Sequence, residues 1–148
     1  MNPNQALPVA ARRRGTRAKR QEALIKNKVL LIIGSLLPII WGVAHLFPTA
    51  AIVKGFGSIS QDNVRIIAME WIAEAVALMF MGFVVFFATL IDRKSPVSTA
   101  VCWVSVVGLN VLSVVSLFTG FHIQFLPFRL CPPIFTGSSV LILLGMLL

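Results

Sequence analysis

Four apolar segments occupy most of this 148-residue chain, at about residues 29–47, 64–91, 97–121 and 133–148. A hydrocarbon layer about 30 Å thick takes roughly 20 helical residues to cross, at about 1.5 Å per residue. Inside that layer each backbone N–H and C=O must find its partner within the protein, which restricts single segments of this length to helices. The chain therefore reads as all-α: an integral membrane four-helix bundle, residues 28–148, preceded by a basic tail, residues 1–27. Composition agrees. Hydrophobic residues make up 57% of the chain and charged residues 12%, against about 25% charged in a soluble domain.

Local signals set the segment ends. The tail is polar and rich in Ala, Arg and Asn, and is expected to be mostly disordered, with Gln21–Asn27 joining the first helix. Pro38 lies inside the first segment and is expected to kink it; Pro48 ends it. The basic stretch before that segment is too long, and its apolar core too extended, for a typical cleaved leader. Gly55 and Gly57 break the following loop, and Ser60, Asp62 and Asn63 offer cap chemistry for the second helix. Asp92-Arg93-Lys94 and Ser95-Pro96 make a short turn between the second and third segments. Pro127, Arg129 and Pro132 mark residues 122–132 as an irregular connection, with His122 in its loop. The last segment is then only about 24 Å long, short for a span.

The net charge of +8 comes from a concentrated source. Ten of the thirteen Lys and Arg lie in the tail, up to Lys28, or at Arg93-Lys94; Lys54, Arg65 and Arg129 lie on the other side. Cations next to apolar segments select topology, so both termini are expected in the cytoplasm and the protein in a bacterial inner membrane, with multiple passes. The same tail attracts anionic head groups, which makes membrane lipids its expected partners. No base-stacking aromatics accompany the basic run, so nucleic acid is not an expected partner.

Polar residues inside apolar segments carry the functional expectation, because an ionisable group at the bilayer centre costs about 2.5 kcal/mol or more to insert. Gly34, Pro38, Gly42 and His45 share one face of the first helix, a small-residue face suited to close packing. Glu70 and Glu74 lie one turn apart on the second helix, with Ala77 and Met81 on the same face. The first two helices run antiparallel through a short loop, so His45 is expected to approach one or both glutamates in the outer half of the bundle. Asn110 and Trp71 complete the polar cluster. Its members suit several purposes: a metal held by His45, Glu70 and Glu74, proton transfer between carboxylate and imidazole, recognition of a polar lipid head, or simple bracing of the helices. Asn110 reads first as an interhelical hydrogen-bond group. The two cysteines, Cys102 in an apolar segment and Cys131 in the connection near the opposite face, have no metal-binding spacing. No hydrolase triad, nucleotide-binding glycine motif or HExxH is present.

At Trp41-Gly42-Val43-Ala44-His45 and Met69-Glu70-Trp71-Ile72-Ala73-Glu74 the chain resembles small four-helix bacterial membrane proteins of the DoxX-like type. That resemblance implies the size, the span count and a histidine near the end of the first helix, and an association with redox-linked membrane complexes. The residue types are also similar to those of sterol-isomerase-like membrane pockets, although here both glutamates share one helix. The expected role is accessory or binding, with the cluster engaging a lipid or lipophilic small molecule, alone or beside a membrane-protein partner or a second copy of the chain. The alternative is a small membrane enzyme using Glu/His acid–base or metal chemistry. The sequence names no cofactor.

Overall fold

The computed structural model describes residues 9–121 and 123–148. His122 and residues 1–8 lie outside the described residues. The described chain forms five helices: α1 (Val9–Leu46), α2 (Thr49–Gly55), α3 (Gln61–Asp92), α4 (Pro96–Thr119) and α5 (Leu126–Leu147). Four of them, α1 and α3 to α5, are long and apolar enough to cross a membrane.

Two boundaries differ from the sequence expectation. The basic segment is helical from Val9 onward and continues into the first span without a break. Its Ala, Arg, Lys, Gln and Glu are good helix formers, and extending an existing helix avoids the cost of a new nucleus. At the other end of the chain, the last helix starts at Leu126 rather than near residue 133 and has 22 residues, about 33 Å. Pro127 sits in its first turn, where no backbone N–H is needed. Pro132 and Pro133 fall inside the helix, which packing holds together: Cys131, Pro132 and Phe135 are all buried. Cys131 is therefore in a helix, not in a loop. A further element, α2, occupies part of the loop between the first two spans and rests on α3.

Caps match the residue types present. Ser60 accepts a hydrogen bond from the Asn63 N–H at 3.2 Å at the start of α3. Ser95 does the same for Ser98 at 3.0 Å at the start of α4. Ser98 Oγ also donates to the Asp92 carbonyl at 2.6 Å, which ties the α3–α4 turn across its own end.

The bundle is built inside out relative to a soluble one. Ser35, Ser98, Ser105, Ser113, Ser138 and Ser139 are buried, while Ile40, Phe80, Val104 and Phe118 project outward. In lipid, apolar side chains gain little by hiding, and close contact plus a few polar bonds hold helices together. The expected small-residue face of α1 is buried at each of its four positions, Gly34, Pro38, Gly42 and His45. A Cβ at Gly42 would stand 2.6 Å from the Ala75 carbonyl oxygen, and one at Gly82 would stand 2.6 Å from that of Ser35. Only glycine permits the α1–α3 approach at these two crossings. Pro38 has no N–H to give the Gly34 carbonyl; Ser138 Oγ of α5 donates to that oxygen at 2.5 Å. A neighbouring hydroxyl thus satisfies the group that the proline leaves free.

α1 packs against α3 and α5, and α4 against α5; α3 and α4 have the fewest contacts among these neighbouring pairs. Their shared turn holds them together at one end, where Arg93, Lys94 and the C-terminal Leu148 gather near Asn27. Toward the opposite end they leave a groove between them.

Candidate functional site

The groove is about 630 Å³ and open on one side. Ile67, Glu70, Glu74 and Ala77 of α3 form one wall, and Leu112, Val115 and Ser116 of α4 the other. Phe128 and Cys131 of α5 supply its floor, and Ile52 and Phe56 close the α2 end.

Behind the floor stands His45, 2% exposed. It occupies the last turn of α1, where backbone carbonyls lack helical partners. The Trp71 indole N–H donates to the His45 carbonyl at 2.5 Å. Trp71 also stacks on the imidazole, with ring centroids 4.7 Å apart and planes 24° from parallel. Trp41 meets the same ring edge-on at 5.2 Å. Phe128 packs edge-on against Trp71 at 5.3 Å. The imidazole is therefore fixed in an aromatic box.

Its hydrogen bonding fixes the tautomer. Nδ1 lies 2.9 Å from the Trp41 carbonyl, which can only accept, so Nδ1 carries the proton. The neutral ring then presents an Nε2 lone pair, which faces Cys131 Sγ at 3.7 Å. Cys131 has two further contacts: the Trp41 indole N–H donates to its sulfur at 3.4 Å, and the thiol donates to the Pro127 carbonyl at 3.3 Å. Glu74 is the third member. One donor atom from each of His45, Glu74 and Cys131 lies within 4.8 Å of the other two. Among the described residues Glu74 has no hydrogen bond or ion pair. Among the described residues no buried side-chain oxygen or nitrogen is left without a partner, so the carboxylate reaches the open groove it lines.

The structure thus brings together three of the five residues singled out in sequence: His45, Glu74 and Trp71. Glu70 lines the same groove but is exposed, and it lies outside the His45 group. Asn110 is elsewhere. Its amide donates to the Ser139 hydroxyl at 2.5 Å and to the Val106 carbonyl at 2.7 Å. That makes it a link between α4 and α5. Arg65 pairs with Asp62 at 3.9 Å on the exposed surface and leaves the glutamates alone.

Sequence reasoning missed Cys131 and Trp41. The signal for Cys131 was present: Cys131, Phe135, Ser138, Ile142 and Gly145 recur at steps of four, three, four and three, and all are buried. Reading the prolines as helix breakers concealed that stripe.

Chemically, the cluster combines an imidazole nitrogen, a carboxyl group and a thiol, three donor types suited to a divalent cation. The groove adds an apolar wall beside a polar end. Compared with family models, curated proteins and solved structures, the chain matches none of them.

Proposed function

We propose that this multi-pass protein sits in a bacterial inner membrane with both termini in the cytoplasm and has a binding or accessory role. The α3–α4 groove takes up a lipid or lipophilic small molecule from the outer half of the bilayer. One observation carries this reading: a groove of about 630 Å³, largely apolar, reaches Glu74 and Cys131 at its floor. That volume falls in the range of about 300–1,000 Å³ usual for small-molecule sites, which join apolar walls to a few placed polar groups. Glu70 and Glu74 only accept hydrogen bonds when ionised, so they favour a ligand whose head carries a hydroxyl or amino group. The weak α3–α4 contact supplies an entry path from the side. The basic tail holds anionic head groups at the other face and supports the orientation.

The test is mass spectrometry of protein released gently from membranes. Wild type should carry a lipophilic species in near-stoichiometric amount. Ser116→Phe, which fills the groove from α4, should lose it while keeping the wild-type helical content. An identical set of bound species in both proteins, or none in either, would sink the proposal.

A further inference from the structure

We infer that His45, Glu74 and Cys131 form a binding site for one zinc ion, with its fourth coordination position open to the α3–α4 groove. The site does not depend on a lipophilic ligand being bound.

Geometry is the first argument. Tetrahedral zinc binds imidazole and carboxylate at about 2.0–2.2 Å and thiolate at about 2.3 Å, which places the donors about 3.3–3.6 Å apart. His45 Nε2 and Cys131 Sγ are already 3.7 Å apart. Glu74 closes the set within 4.8 Å. Its carboxylate lies on a flexible stem with no competing partner among the described residues, so a movement of about 1 Å completes the triangle.

The surrounding bonds are those a metal site needs. A ligating histidine ordinarily donates its other N–H to a carbonyl, which fixes tautomer and ring direction. Here Nδ1 does so to Trp41 at 2.9 Å. The Trp41 indole donates to the Cys131 sulfur at 3.4 Å, a bond that strengthens once the sulfur is a thiolate. The three ligands come from α1, α3 and α5, so the ion would pin three spans at one point.

Charge selects a divalent ion. When zinc binds, the S–H bond of Cys131 breaks, a Zn–S bond forms, and the proton leaves to solvent through the groove. The thiol gives up its bond to the Pro127 carbonyl in the same step. The centre then holds two positive charges against one carboxylate and one thiolate, a net charge of zero. A neutral centre avoids the penalty that any net charge incurs at membrane depth. The soft thiolate beside imidazole favours zinc over magnesium or calcium. Three protein ligands and one open position are the arrangement of catalytic rather than structural zinc.

The test uses the full-length protein in detergent, stripped with a chelator, loaded with Zn²⁺ or with Co²⁺ as a spectroscopic substitute, and desalted. Wild type and Cys102→Ser should retain one zinc per chain. With Co²⁺ they should show the near-ultraviolet absorption of a thiolate-bound ion. Cys131→Ser and Glu74→Gln should retain less than one-tenth as much. Wild type without zinc, or zinc content unchanged in Cys131→Ser, would overturn the proposal. If Cys131→Ser fails to fold, the cobalt–thiolate band of wild type and Cys102→Ser decides, since Cys131 is then the only thiol available. Bound lipophilic species are measured in the same samples. Zinc absent with lipid present removes only the metal site; lipid absent with zinc present removes only the ligand-binding reading.

Discussion

His45 Nε2 lies 3.7 Å from Cys131 Sγ, although 86 residues separate them in the chain. The contact exists because α1 and α5 pack closely along their length. Gly145 receives Leu31 at one end and Gly34 meets Ile142 nearer the middle. Ser138 of α5 bonds the carbonyl that Pro38 leaves free. The same packing that builds the bundle therefore delivers two chemically active side chains to one point.

Because a Cβ at Gly82 would collide with the Ser35 carbonyl, Gly82→Val should force α1 and α3 apart. Overpacking of this kind costs about 1–3 kcal/mol. Thermal melting in detergent should show a clear drop. Gly137→Ala, where nothing lies within 4 Å of a new Cβ, should melt at or slightly above wild type.

Trp71 donates to a His45 carbonyl that the helix end leaves without its own partner. Trp71→Phe keeps an aromatic ring on the imidazole and removes that bond along with part of the buried indole. A buried acceptor left unpaired costs about 1–3 kcal/mol. Melting should fall by at least that amount in Trp71→Phe, while Trp103→Phe, at an exposed ring, should change little.

Asn110 should matter to the bundle and not to the site. Its coupling to Ser139, measured by the double-mutant cycle of Asn110→Leu and Ser139→Ala, should be about 0.6 kcal/mol, the average for such bonds in membranes. Retained zinc and bound lipid should match wild type in both single variants. A loss of either would place Asn110 in the site after all.

The proposed orientation rests on charge alone and is open to a direct check. Alkaline phosphatase fused after Gly57 should be active, because that loop is expected outside. The same enzyme fused after Leu148 should be inactive, with a fluorescent protein there bright. Moving the basic run of the tail to the Gly57 loop should reverse both readings.

Much of the candidate site was legible. His45 lies on a recognisable small-residue face, and Glu74 lies one turn from Glu70, so the meeting of α1 and α3 followed from a short loop between antiparallel helices. Glu70 and Glu74 were not separable in advance. One turn of α3 decides that one carboxylate is exposed and the other half-buried, and that depends on where the α3–α4 groove deepens. Cys131 was misread because prolines argue against a helix locally, whereas burial of Pro132 and Phe135 against other spans holds the helix together.

The sequence by itself determined the class of protein. Runs of apolar residues long enough to span a bilayer leave helix as the available form, and the placement of lysine and arginine supports one orientation. These are properties of single segments against a solvent. Only the tertiary structure decided which side chains meet. α1, α3 and α5 bring together His45, Glu74 and Cys131 because glycine contacts and serine hydroxyls set their rotation and depth. No single segment encodes that rotation, since it is a compromise among three packed surfaces.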